Sequence, residues 1–170
     1  GVSPMIEIDD KDHELLARLA DGLPLVPRPY AEIGITLDLP EAEVIARLRH
    51  LIAVGVVRRL GLIVRHRELG YRANAMTVWD VPDHTVDALG AELAAYPFVT
   101  LCYRRRRQLP HWPYNLFAMV HGKARAQVLK QIEQLNDQVG LHRLPHQVLF
   151  SYKRYKQDAA RFGTGLAKAG

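Results

Sequence analysis

A single cysteine, Cys102, is all that the 170 residues carry, which excludes an internal disulfide framework and a cysteine-rich zinc site. No run approaches the roughly 18 apolar residues that a membrane span needs, and no charged, apolar and small-residue signal segment is evident, so no membrane partner and a cytoplasmic protein are expected. Gly1 to Pro4, ahead of Met5, read as a cleaved-tag remnant and stay outside the fold argument. Internal repeats are lacking too. What is present is an apolar fraction of 48%, enough for one ordinary domain or two small ones. A net charge of +5 and a pI near 9.5 suggest anionic partners without choosing among phosphates, carboxylates and lipids. Eight histidines are many for this length.

The first third reads as helices. Residues 9–20 place Leu15, Leu16 and Leu19 on one face, with Asp9 and Asp10 in the first turn, where the helix dipole favours anions. Three prolines between 21 and 30 forbid a continuous helix and fix an extended loop. A short helical piece at 30–35 and a turn at 36–39 follow. Pro40 then opens, at an N1-type position, a helix carrying Val44, Ile45, Leu48, Leu51 and Ile52. Past Gly55, V-V-R-R-L and L-I-V-R-H-R, hinged at Gly61, read as a two-stranded wing. Residues 5–62 are therefore expected to be a winged helix-turn-helix.

The remainder alternates as strand 72–81, a helix from Pro82 with Val86, Leu89 and Leu93 inward, strand 98–104, strand 114–121, helix 123–139 and strand 147–155. In helix 123–139 the buried stripe is expected to be Val128, Leu129, Ile132, Leu135 and Val139. The order β-α-β-β-α-β is the ferredoxin-like split unit, assigned to 63–157, with 158–170 as a flexible tail. The fold class is α+β.

The hairpin between Val99 and Gly122 gathers the chemistry: four consecutive arginines (Arg104 to Arg107), His111, Trp112 and Tyr114, then His121 closing the return strand. Period-two parity puts Leu116, Ala118 and Val120 under the helices and Asn115, Phe117, Met119 and His121 on the open face. A mostly apolar ligand pocket or a dimer interface would explain that face equally. On the first strand parity leaves both sets open. His13, His50, His84, His142 and His146 are given no chemistry, and Cys102 is read as a small buried hydrophobe.

A helix-turn-helix joined to a ferredoxin-like domain is the plan of Lrp/AsnC-type transcription regulators. Yet the first turn of the third helix is Pro40, Glu41, Ala42 and Glu43, and carboxylates aimed at phosphate cost affinity, which argues against DNA binding. The segments L-V-P-R-P-Y, I-V-R-H-R-E-L-G-Y-R-A-N-A-M, C-Y-R-R and W-P-Y-N-L-F-A-M-V-H-G resemble those of sirohaem decarboxylase subunits, the Lrp/AsnC-like proteins of haem d1 biosynthesis and the alternative haem pathway. The resemblance spans Met5 to Lys156. It implies conversion of sirohaem to 12,18-didecarboxysirohaem, two acetate side chains becoming methyls, by paired homologous subunits in a homo- or hetero-oligomer.

Chemistry agrees with that implication. Sirohaem is flat and fringed with carboxylates, so aromatic faces and arginine forks suit it. The iron tetrapyrrole is itself the substrate and the electron sink, so no added cofactor is expected, and an acid must deliver a proton to carbon. His121 and His66 are the candidate acids. Arg65, Arg67, Arg104 and Arg105 are assigned to the carboxylates, and Tyr71, Tyr103 and Tyr114 to hydrogen bonding or stacking. Trp112, Asn115, Phe117 and Met119 would line the pocket, and Arg28 and Tyr30 would close it from the first domain. Some family members carry histidine at the position of Leu101. With leucine here, either a partner subunit supplies that group or this pocket is partly or wholly non-catalytic. A haem-binding module that does not react shares the same pocket, and His66, His111 and His121 are all candidates for an iron ligand.

Overall fold

A computed structural model describes residues 4–150. Helix α1 (Asp10–Leu19) starts where the Asp9 carboxylate accepts from the Asp12 N–H at 2.7 Å, and it buries Leu15, Leu16 and Leu19. Helix α2 (Pro29–Leu37) has Pro29 in its first turn and is longer at both ends than the expected 30–35. It ends at Asp38 in the left-handed region (φ 57°), where the Leu39 N–H returns to the Gly34 carbonyl at 2.9 Å. Helix α3 (Glu41–Ala53) buries Val44, Leu48 and Leu51, while Ile52 points outward. Pro40 sits one position outside α3 in an extended conformation (ψ 152°) rather than at N1, and Gly55, at φ 84°, stops the helix. The helix-turn-helix is thus formed.

The expected wing is not. Residues 56–58 pair instead with an edge strand of the second domain: the Cys102 N–H donates to the Val56 carbonyl at 3.0 Å and the Arg58 N–H to the Thr100 carbonyl at 2.9 Å. The second half of the would-be wing is a short helix, α4 (Leu60–Val64). Its Ile63 is wholly buried and Leu60 packs beside it on the same helical face. A sheet edge offers unpaired main chain, and V-V-R answers that edge instead of folding back on itself.

The second domain runs β1 (Ala73–Trp79), a single 3₁₀ turn, α5 (Val86–Ala94), β2 (Val99–Arg104), β3 (Leu116–Gly122), α6 (Arg125–Val139) and β4 (His146–Phe150). The antiparallel sheet has the order β2-β3-β1-β4, the ferredoxin-like arrangement. Ala75, Trp79, Leu116, Ala118 and Val120 pack under α5 and α6 with Val128, Ile132 and Leu135. In α6, Leu129 is 43% exposed rather than part of the stripe. Asn136 is buried and accepts from the Trp79 indole N–H at 2.8 Å. The part of the last expected strand beyond residue 150, and the tail 158–170, lie outside the described residues.

The other sheet face is not open. Met76, Val78, Leu101, Tyr103, Phe117 and Met119 form one core with Leu15, Leu16, Leu19 and Ile33 of the helical domain. Two apolar surfaces, neither of which has enough polar area to face water, satisfy each other. The register Asn74↔His121, Met76↔Met119 and Val78↔Phe117 also assigns Asn74, Met76 and Val78 to this face, which parity alone had left undecided.

Candidate functional site

The two domains enclose a small polar cluster where α1 ends, and His121 is its centre. The histidine closes β3 with no exposed surface. Its main chain is held from two sides: the N–H donates to the Phe98 carbonyl at 3.0 Å and the carbonyl accepts from Gln131 Nε2 at 2.9 Å. The register of β2 against β3 slips between Val99 and Leu101, and this bulge brings the Thr100 hydroxyl to 2.9 Å from His121 Nδ1. His121 Nε2 is buried without a hydrogen-bond partner, and so is Oδ1 of its cross-strand neighbour Asn74. Nδ2 of Asn74 lies 3.5 Å from Oδ1 of Asp21, two positions beyond the end of α1.

His66 completes the cluster. It is 8% exposed, its Nδ1 is 3.0 Å from the Ile63 carbonyl, and its ring meets that of His121 edge-on with centroids 6.3 Å apart. Gly22, at φ +87°, lies flat against the His66 ring, where a Cβ would overlap Cε1 and Nδ1. Burial pushes the His121 imidazole down to about 4, and the neighbouring His66 adds to this, while the Ala20 carbonyl and the Asp21 carboxylate oppose it. In this closed arrangement His121 is therefore neutral at pH 7.

A third histidine sits further along the same seam. His13 Nδ1 is 3.0 Å from the Tyr103 hydroxyl. Tyr103 stacks on Phe117 with centroids 5.1 Å apart, and His13 meets Phe117 edge-on at 5.5 Å. Burial foremost, with the Arg105 charge, pushes His13 down to about 4. The 430 Å³ cavity bounded by Glu7, Asp9, Asp10, Arg105, Arg106 and Gln108, and the 170 Å³ cavity bounded by Met5, Arg58, Asp87 and Cys102, both lie away from His66 and His121. Among the described residues no group of three or more His, Cys, Asp or Glu could hold a metal ion, and no helix is long and apolar enough to cross a membrane.

Of the residues singled out from sequence, His66, Tyr103, Phe117, Met119 and His121 are brought together along this seam. Tyr30 and Trp112 pack at its margin, and Tyr114 is buried in it. Asn115 does not line an open face. Its amide accepts from the Val81 N–H and donates to the Val81 carbonyl, both at 3.0 Å, which ties β3 to the loop after β1. Arg104 and Arg105 face Glu7 and Asp10 at 4.0 and 3.3 Å, Arg65 pairs with Glu68, and Arg67 is exposed. Tyr71 is half-buried, its N–H returning to the His66 carbonyl at 2.7 Å. Arg28 forks onto Glu41 at 2.6 and 3.1 Å and remains 72% exposed. Arg107 is structural, donating to Asp80, Asp83 and the Val81 and Pro113 carbonyls.

Four participants were missed: His13, Asp21, Asn74 and Thr100. His13 shares a helical face with Leu16, and Asn74 shares strand parity with Met76, so both carried a signal. Asp21 and Thr100 carried none, since a loop and a bulge aim them.

The Siroheme decarboxylase NirDL-like HTH domain family matches residues 12–58 and the AsnC-like ligand binding domain family matches residues 68–156. Over 153 residues the chain is 46% identical to the siroheme decarboxylase NirL subunit of Stutzerimonas stutzeri, covering 90% of each chain. It is 43% identical to the siroheme decarboxylase NirH subunit of Paracoccus pantotrophus, covering 92% of this chain and 98% of that one. A third relative, the siroheme decarboxylase NirDL subunit of Paracoccus pantotrophus, is 44% identical over 88% of this chain but only 46% of its own greater length.

Proposed function

Because the chain belongs to the family of Lrp/AsnC-like sirohaem decarboxylase subunits, we propose that it binds sirohaem at the seam between its two domains and takes part, with a homologous subunit, in forming 12,18-didecarboxysirohaem for haem d1 biosynthesis. The observation that carries this reading is the likeness over nine-tenths of both chains to a relative named as a decarboxylase subunit. The relative in which such a sequence occupies under half of the chain fits a working unit built from two homologous halves.

The chemistry asked of the protein is small. Each acetate arm loses its carboxylate as carbon dioxide, the electron pair of the broken C–C bond passes into the conjugated macrocycle, and a proton then forms the new C–H bond of the methyl. The macrocycle is the electron sink, so the reading calls on no cofactor beyond the substrate. The protein positions the ring, desolvates the carboxylate and supplies the proton. His121 is the proposed acid and His66 its neighbour. Tyr103, Tyr114, Phe117 and Met119 offer flat aromatic and polarisable contact, with Trp112 at the margin and the half-buried Tyr71 beside His66. Arg65, Arg67, Arg104 and Arg105 are proposed to take the other carboxylates. The carboxylates that now face Arg65, Arg104 and Arg105, those of Glu68, Glu7 and Asp10, are themselves exposed to solvent and can be exchanged for those of a ligand. Arg28 and Tyr30 would close the site from the helical side.

A neutral His121 does not donate a proton efficiently, but a carboxylate-rich substrate beside it favours the imidazolium. Sirohaem thereby helps to charge its own acid. Entry of the macrocycle requires the sheet face and α1 to part, since Phe117 and Met119 are 1% and 2% exposed.

Anaerobic incubation with sirohaem, alone and with the co-purified homologue, followed by chromatography and mass spectrometry, is expected to show loss of one carbon dioxide per acetate. His121→Ala should abolish turnover while leaving the absorbance change of sirohaem binding. Binding without release of carbon dioxide from either preparation would make the protein a haem-binding module, and unaltered turnover would remove His121 from the mechanism.

A further inference from the structure

We infer that Asp21, contributed by the helical domain, is the positioning residue of the His121 proton donor. The inference rests on the proposed decarboxylase reading and adds to it a function for the domain that the fold would otherwise assign to DNA. Three observations converge on it. Asn74 and His121 are register partners on adjacent strands, so their side chains stand side by side on the face beneath α1. Each presents one wholly buried polar atom without a partner, Oδ1 of Asn74 and Nε2 of His121. Buried polar atoms are almost always paired, and a neighbouring orphan acceptor and imidazole nitrogen mark a place where a polar group of the substrate, or the proton in transit, is received.

Asp21 determines which way this pair points. With the Asn74 Nδ2 group facing the Asp21 carboxylate at 3.5 Å, Oδ1 is directed away from it and remains available. The groups that face His121 from each packed element are few: Asp21 and the Ala20 carbonyl at the end of α1, His66 after α4, and the neutral Thr100 hydroxyl from β2. α6 reaches only its main-chain carbonyl, through Gln131. Asp21 is the one negative charge in this set, and together with the Ala20 carbonyl it favours the imidazolium before substrate arrives. In the proton step the Nε2–H bond of the His121 imidazolium breaks as the new C–H bond forms, and the ring returns to neutral. Asp21 exchanges no proton in this step. It holds the cation that gives one.

The test compares wild type with Asp21→Asn, which keeps the shape and an acceptor oxygen but removes the charge, and with Asp21→Glu, which keeps the charge. Each is studied with the homologous subunit. In Asp21→Asn, kcat for sirohaem at pH 7 is expected to fall about tenfold, the equivalent of one pH unit. The limb of the kcat–pH profile that requires the protonated acid should move to lower pH. The sirohaem Kd should stay within about twofold, and Asp21→Glu should recover part of the loss. Without substrate, the NMR titration midpoint of His121 should also move to lower pH in Asp21→Asn. A superimposable pH profile, an unmoved His121 midpoint, or a loss confined to sirohaem affinity would each overturn the inference. Absence of turnover in the wild type, with the His121 midpoint still moved by Asp21→Asn, would strike the decarboxylase reading and leave the Asp21–His121 coupling standing.

Discussion

His13 and His121 show how one residue type takes its properties from where the fold puts it. Both lie along the domain seam and both are pushed down to about 4, burial being the foremost cause. An imidazole in the unfolded chain titrates near 6.5, so the sign of the pH dependence follows. Above about pH 6.5 both states are neutral and stability is fully present. As pH falls towards about 4 the unfolded chain takes up protons that the native seam refuses, and each histidine removes up to about 1.4 kcal/mol per pH unit. The urea midpoint is expected to fall steadily between pH 6.5 and 4.5. His13→Gln, which still offers an acceptor to the Tyr103 hydroxyl, should flatten roughly half of that slope. An unchanged slope would mean that His13 is not buried as a neutral ring. His13 had been given no chemistry from sequence, because a histidine on a helix announces neither its burial nor a tyrosine on a distant strand.

At the scale of elements, the junction after α1 and the segment 56–64 decide the site. Gly22 holds φ +87°, and a side chain there would run into the His66 ring. Gly22→Ala is therefore expected to lower stability by about 1–3 kcal/mol in denaturant unfolding and to displace the His66 ring resonances. A neutral substitution would show that His66 does not rest against this turn. Residues 56–64 show the opposite lesson, since V-V-R-R-L and L-I-V-R-H-R have the composition of paired strands. Local alternation states that a segment suits a sheet but not which one. The free edge of β2 took the first half, and burial of Ile63 on a helical face took the second. The hairpin was legible element by element, with Leu116, Ala118 and Val120 under the helices as parity required. Asn115 was the exception, because its amide is committed to Val81.

For the molecule as a whole, the helical domain has the architecture of a DNA reader without the charges of one. Arg47 on α3 donates to Asp9, Asp12 and Glu43, each at 3.1 Å, and Arg28 is forked onto Glu41 at the start of the same helix. Arginines neutralised in this way have little charge left for phosphates. Fluorescence anisotropy with duplex DNA is expected to show only weak, salt-sensitive and sequence-independent binding. A tight, sequence-specific complex at roughly physiological salt would contradict it. The domain's buried face is spent on the sheet instead: Leu15, Leu16 and Leu19 are all wholly buried.

The sequence by itself determined the first three helices, the β-α-β-β-α-β order of the second domain, the α+β class, the aliphatic face of β3 and the family, because periodicity, turn residues and contiguous motifs are local properties that survive without a fold. Tertiary structure alone decided that the second sheet face is covered, that 56–58 extends β2, and that Asp21 and Gly22 meet Asn74, His66 and His121. The physical reason is that apolar burial is non-directional: a pattern of side chains states that a surface must be covered and is silent about which distant segment covers it.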